Sequence, residues 1–167
     1  MKKLFAYIFL ASAAMIGVSC QEDLEPGGTK VQDMSGEWWV RYEVETSPNV
    51  WEDIGGGYYK MMTYNTASDT EEIWVDDLAH FWDYKVKVPV NLTSKSFSVT
   101  AATNASYESA VTIENGVVLT GEGTSVSGVQ TDSIHFLASF DDDDVAFGTK
   151  YRVSGHRRTG FLEDELE

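Results

Sequence analysis

A strict alternation of apolar and polar side chains between residues 36 and 45 constrains the fold of this chain more than any other feature. The even positions hold Trp38, Val40, Tyr42 and Val44, whereas the odd positions between them are mainly charged. A period of two places alternate side chains on opposite faces of a β-strand. We therefore expect a strand here, with its even positions turned towards a core.

Similar patterns recur along the chain, and helical periodicity is nearly absent. Further strands are predicted at residues 58–66, 72–77, 83–90, 96–101, 111–120, 132–140 and 148–158. Within residues 111–120, the dipeptide Asn115-Gly116 predicts a two-residue hairpin turn. A meander of about eight strands hides its edges by closing on itself, so we expect a single antiparallel up-and-down β-barrel. A two-sheet sandwich is the alternative.

The first 20 residues predict a secretory signal, because two lysines precede an apolar run that leads into Cys20. Residues 17–20 resemble the lipobox of bacterial lipoproteins, which implies a lipid anchor on Cys20 and an outer-membrane location. Cleavage of an ordinary signal near Ser19 is the alternative. The acidic residues that follow also resemble the export signal of surface-exposed lipoproteins in Bacteroidetes, although a plain linker explains them equally well.

The remaining chain divides into three parts. Residues 21–33 are predicted to form a flexible tether, since they contain acids, Pro26 and a glycine pair. Residues 34–162 form the expected barrel domain, and residues 163–167 form an acidic tail. The formal net charge of −15 argues against nucleic acid as a partner.

Catalytic and metal-binding patterns are missing from the sequence. His80, His135 and His156 do not have the spacing of metal ligands. The acidic run at residues 141–144 is consecutive, without the alternation and glycine bend of a calcium loop, so we interpret it as a solvated turn. Residues 123–127 begin like a nucleophile elbow but lack its last glycine, so we expect a polar loop. We expect no catalytic residue, no metal and no cofactor.

Gly36-Glu37-Trp38 resembles the lipocalin signature at the start of the first strand. The resemblance implies that Trp38 plugs one end of the barrel and that an arginine of the last strand lies across its ring. Parity in the last strand assigns this role to Arg157, since Arg158 falls on the opposite face. We expect Gly36 and Gly155 to permit the close approach.

Three longer stretches extend the resemblance to a broader family. They are residues 35–43 (SGEWWVRYE), 71–92 (EEIWVDDLAHFWDYKVKVPVNL) and 155–161 (GHRRTGF). Together with the signal and Cys20, they are similar to the lipid-binding putative hydrolases of Bacteroidetes, which are small lipoproteins with a lipocalin-like fold. The resemblance implies lipid binding and brings no catalytic residues with it.

Three functions remain open at this point. The first is a membrane-anchored barrel that binds a small apolar or amphiphilic molecule. The second is a protein-interaction module of an envelope assembly with a filled core, and the third is a hydrolase. For the first, parity places seven side chains inside the barrel as candidates to line the ligand: Val40, Tyr42, Tyr84, Val86, Phe97, Phe136 and Tyr151.

Overall fold

Nine β-strands form one antiparallel sheet in the computed structural model, which describes residues 27–68, 70–144 and 149–166. The strands are β1 (Gly36–Ser47), β2 (Val50–Asp53), β3 (Tyr59–Asn65), β4 (Glu72–Asp76), β5 (Lys85–Asn91), β6 (Ser96–Thr103), β7 (Ala110–Thr124), β8 (Gln130–Phe140) and β9 (Tyr151–Arg157). Two short 3-10 helices flank them, at Gln32–Met34 and Leu162–Asp164. The predicted leader, Cys20 and the first half of the tether lie outside the described residues.

The first and last strands close the sheet into a barrel. β1 and β9 pair along seven residues, from Trp38 opposite Arg157 to Val44 opposite Tyr151. On its other edge, the first half of β1 pairs with β3 and its second half forms a hairpin with β2. The closed barrel therefore has eight strands, β1 and β3 to β9, and β2 is an extra strand that the sequence did not predict. The predicted barrel is confirmed, and the alternative of a sandwich is wrong.

The core follows the predicted period of two. Trp38, Val40 and Tyr42 of β1 are buried, and so are Val86 and Val88 of β5. The polar residues between them on β5 are more exposed. The apolar faces of the strands meet inside the barrel in a single cluster. Burial of this cluster is the main favourable term for the fold.

The predicted hairpin at Asn115-Gly116 is wrong. β7 runs through these residues without reversing, and its register against β8 shifts between Glu114 and Val117. Asn115 has the positive φ of 54° that the dipeptide favours, but here this conformation forms a bulge in a long strand. Gly116 also leaves room for the ring of Phe97, since a Cβ at this position would lie 2.4 Å from that ring. The local backbone was therefore as expected, while packing determined the path of the chain.

Within the described part of the chain, no helix has the length and apolar character needed to cross a membrane.

Candidate functional site

Trp38 and Arg157 meet at the end of the barrel where β1 begins and β9 ends. The Arg157 guanidinium carbon lies 4.6 Å from the centroid of the Trp38 ring, within the range of a cation–π contact. The indole is fully buried, and its Nε1 donates a hydrogen bond to Thr63 Oγ1 over 2.9 Å. The β1–β9 ladder has no bulge at Gly155, so Arg157 rather than Arg158 occupies the position that parity predicted.

Polar contacts hold the Arg157 guanidinium over the ring. Its Nη1 donates to the carbonyl of Ser35, and its Nη2 donates to the carbonyl of Asp33 over 3.3 Å. Its Nε donates to the Asp132 carboxylate on β8 over 3.0 Å. A side chain at Gly36 would block this arrangement, because a Cβ there would lie 2.5 Å from Arg157 Nη1. We call this end of the barrel the Trp38 end.

The structure brings all seven candidate lining residues together inside the barrel. Each is buried, and all belong to one apolar cluster: Val40, Tyr42, Tyr84, Val86, Phe97, Phe136 and Tyr151. The hydroxyl groups of Tyr42 and Tyr84 share a hydrogen bond of 3.3 Å, and the Tyr84 hydroxyl also lies 3.7 Å from the Met61 sulfur. Burial raises the pKa of both tyrosines well above the usual value, so both stay neutral. The candidate lining residues therefore pack on one another.

Two aromatic side chains cover the opposite end of the barrel. Phe81 and Trp82 lie in the turn between β4 and β5, and we call them the aromatic plug. The Phe81 ring stacks on Tyr42 at a centroid distance of 4.1 Å, and the Trp82 ring stacks on Phe140 at 4.7 Å. Both plug residues are only partly buried, and both pack on the core. The plug therefore connects the interior of the barrel with its outer surface.

Asp77 organises the turn that carries the plug. This fully buried carboxylate accepts hydrogen bonds from four backbone N–H groups, those of Ala79, Phe81, Trp82 and Tyr84. Burial raises the pKa of Asp77, and the four donors oppose that rise. The turn is centred on this carboxylate and is not helical, because the side chain satisfies donors that a helix would direct to carbonyls.

The acidic residues of the β8–β9 connection contact the plug. Asp142 accepts hydrogen bonds from the Trp82 indole over 3.1 Å and from the Tyr107 hydroxyl over 2.6 Å. The bond from Tyr107 is the main cause that lowers the pKa of Asp142. Asp143 accepts a bond from the Tyr151 hydroxyl over 3.0 Å. The run is largely exposed and begins in a turn, as interpreted, but two of its carboxylates also bind aromatic side chains at the mouth of the barrel.

One family of known proteins matches most of this chain. The model of the family described as lipid-binding putative hydrolase matches residues 23–162, which is most of the chain. The chain belongs to the lipid-binding putative hydrolase family. A comparison with curated proteins found no match. The matched residues include the Trp38 end, the aromatic plug and all nine strands.

The three histidines of this family member have different surroundings. His80 Nδ1 bonds to the Lys60 carbonyl over 2.9 Å, His135 is exposed on β8, and His156 is buried on β9. No group of three or more His, Cys, Asp or Glu side chains suited to a metal ion occurs in residues 27–68, 70–144 and 149–166. Trp39 lies on the opposite face of β1 from Trp38, yet it is also buried.

Sequence reasoning missed the parts of the site that lie in turns and between strands. The plug and Asp77 lie in a segment without periodicity, where alternation gives no orientation. The useful signal was an aspartate a few residues before an adjacent aromatic pair, since aspartate often organises turns through backbone N–H groups. A cleft of about 400 Å³ in the outer wall, between β5 and β6, was also missed. The pattern of residues within one strand does not indicate how well that strand pairs with its neighbour.

Proposed function

We propose that this protein is a membrane-anchored envelope lipoprotein whose barrel binds a lipid or another amphiphilic molecule. The observation that carries the proposal is the family match over residues 23–162. The fold supports it, because an eight-stranded barrel is of the size that encloses side chains or one small ligand. The aromatic plug supports it too, since its partly exposed rings offer apolar surface in contact with the core.

The packed interior restricts where such a ligand binds. The largest side chains near the middle of the barrel, including Tyr42, Tyr84 and Phe136, are each at most 1% exposed. A ligand therefore binds where core residues reach the surface. The partly buried side chains that pack on the core mark these places: Val44, Ile54, Tyr59, Phe81, Trp82, Leu92, Val99 and Ala102.

Analysis of co-purified lipid tests the proposed binding. A protein that begins at Gln21 keeps every described residue, and we expect it to carry an amphiphile through gel filtration in a ratio near one to one. Mass spectrometry of an organic extract would identify the molecule. A sample that is unfolded in urea and washed before extraction controls for lipid carried over from the cells. Recovery of no lipid above that control would contradict the proposal.

Fractionation of cells tests the proposed anchor. We expect Cys20→Ser to move the protein from the membrane pellet to the soluble fraction, because two or more acyl chains give firm attachment and a serine cannot be lipidated through a thioether. A Ser19→Ala variant is the matched control and should stay in the pellet. A Cys20→Ser protein that resists extraction with carbonate would show that the attachment has another origin. Protease treatment of intact cells would report whether the protein faces outwards.

A protein-interaction module is the second candidate, and one observation favours it. Three of the most exposed apolar side chains, Val126, Phe161 and Leu162, lie on two segments that the bond from Ser127 N to Asp164 joins over 2.7 Å. Exposed apolar groups that lie together are typical of contact sites. A photoreactive residue at position 162 should then give discrete cross-links in cells, with no lipid recovered from the protein. Hydrolysis, the third function, rests on the family description alone.

A further inference from the structure

The hydrogen-bonded ladder of the barrel is interrupted between β5 and β6. These strands pair at only two positions, Val90 with Phe97 and Asn91 with Ser96, whereas every other pair of neighbouring strands shares at least four. Past these two pairs the ladder of backbone hydrogen bonds stops, and the two strands are joined again only at the start of β5 and the end of β6. There Lys85 N donates to the Asn104 side chain over 2.9 Å, and Ala105 N donates to the Lys85 carbonyl over 2.8 Å.

Proline and a bulge explain the interruption. The backbone N–H and C=O of Lys85 face β6, so those of every second residue, including position 89, face the same way. Pro89 has no N–H to donate at that point. On the opposite side, β6 is irregular, because its register against β7 shifts twice and Ala101 has a φ of 48°. Neither strand can therefore continue the ladder of backbone hydrogen bonds, so the interruption of the ladder is part of the native fold.

The open cleft beside this interruption has the volume and lining of a small-molecule site. Its volume is about 400 Å³, and five residues line it: Trp74, Lys87, Ala102, Thr103 and Ala105. Ligand pockets usually have volumes of about 300–1,000 Å³ and mainly apolar walls. Ala102 is partly exposed and also packs on the core cluster. The floor of the cleft therefore reaches the interior of the barrel.

One cation borders the cleft without an acidic partner. Lys87 Nζ lies 5.1 Å from the centroid of the Trp74 ring, and no carboxylate among the described residues forms an ion pair with it. The neighbouring Lys85 differs, since its ammonium pairs with Asp76 over 3.2 Å. An ammonium group beside an apolar cleft complements a ligand with an anionic head and an alkyl chain.

We propose that the cleft between β5 and β6 is the binding site of the proposed function and that its ligand is a single-chain carboxylate amphiphile, such as a fatty acid. The alkyl chain lies in the cleft against Trp74 and Ala102, and the carboxylate pairs with Lys87. This inference rests on the proposed lipid binding and adds the class of ligand and its place.

Calorimetry with dodecanoate and with dodecanol tests the site, because the two probes share a chain and differ in the charge of the head. The protein begins at Gln21, and both probes stay below their solubility and micelle limits. We expect dodecanoate to bind about tenfold more tightly than dodecanol, the gain of one charge-assisted contact. Lys87→Gln should remove this preference and leave the affinity for dodecanol unchanged.

Two further variants complete the test. Lys60→Gln is the matched control, because Lys60 Nζ lies 5.3 Å from the Trp39 ring in a similar stack away from the cleft. It should change neither affinity. Thr103→Phe places a ring in the cleft from an exposed position of β6. It should weaken the binding of both probes at least fivefold and leave the melting temperature of the protein unchanged.

The outcomes separate the two proposals. If neither probe binds the unaltered protein, the inference is overturned, and recovery of a co-purified lipid decides separately whether the proposed lipid binding stands. If both probes bind but Lys87→Gln and Thr103→Phe have no effect, the barrel binds amphiphiles elsewhere and only the inference is overturned. If Lys60→Gln reduces the preference for dodecanoate as much as Lys87→Gln does, the effect arises from overall charge, and the assignment of the head group to Lys87 is overturned.

Discussion

The stack of Arg157 on Trp38 leads to a quantitative prediction about the stability of the barrel. Trp38→Ala removes a fully buried ring and the hydrogen bond to Thr63, so we expect it to cost about 3–5 kcal/mol. Arg157→Ala removes the stack, at about 1–2 kcal/mol, and hydrogen bonds to the carbonyls of Ser35 and Asp33, at about 1 kcal/mol together or more. Its total should be about 2–4 kcal/mol.

Arg158 is the matched control, because it directly follows Arg157 at the end of β9 and carries the same charge. Its guanidinium forms ion pairs with Glu37 over 2.6 Å and with Glu165 over 2.8 Å near the surface. Ion pairs of this kind contribute little to stability. We therefore expect Arg158→Ala to cost less than half as much as Arg157→Ala.

Urea unfolding and thermal melts of the three alanine variants measure these differences. For a chain of this length, a loss of 3 kcal/mol lowers the melting temperature by about 6–12 °C. Arg157→Lys adds a finer test, since lysine keeps the charge but cannot fork to two carbonyls, and it should lie between the unaltered protein and Arg157→Ala. If Arg158→Ala proves the more damaging change, the roles of the two arginines are reversed. If neither arginine matters while Trp38→Ala destabilises, the stack contributes nothing to closure.

Three further predictions concern backbone, pH and the plug. Gly155→Ala should lower the free energy of unfolding in urea by about 1–3 kcal/mol, because its Cβ would lie 2.0 Å from the Trp39 carbonyl oxygen. Gly27→Ala is the control and should be neutral, since a Cβ there would have no neighbour within 4 Å. Burial lowers the pKa of His156, so its contribution to stability is complete above about pH 6.5 and is lost as the pH falls towards the lowered pKa. Melts at pH 7.5 and 5.5 should differ less for His156→Gln than for the unaltered protein, and equal differences would contradict the burial of a neutral ring. Asp77→Ala leaves four N–H groups without their acceptor and should lower the free energy of unfolding by about 2–4 kcal/mol. It should also remove the near-ultraviolet circular dichroism of the plug. An unchanged spectrum would show that the turn is held by other contacts.

Several features of this protein were determined by the sequence alone. Alternation placed Val40, Tyr42 and Phe136 inside the barrel, because a strand directs successive side chains to opposite faces wherever it lies. The same rule identified Arg157 rather than Arg158 as the partner of Trp38, although the two partners lie near opposite ends of the chain. The meander order of the barrel strands followed from the short connections between them, although the extra strand β2 was not predicted and Asn115-Gly116 was wrongly interpreted as a turn. These features depend on neighbours in the chain, so the chain itself reports them.

The tertiary structure alone decided the rest. Asn115-Gly116 specifies a left-handed backbone conformation, and both a hairpin turn and a bulge contain it, so only the packing of Phe97 and the ladder to β8 select the bulge. The plug is defined by contacts of Phe81 and Trp82 with rings that lie far away in sequence. The cleft between β5 and β6 exists because a proline on one strand faces an irregular stretch of another. Each of these features depends on two distant segments at once, and periodicity within one segment carries no information about its partner.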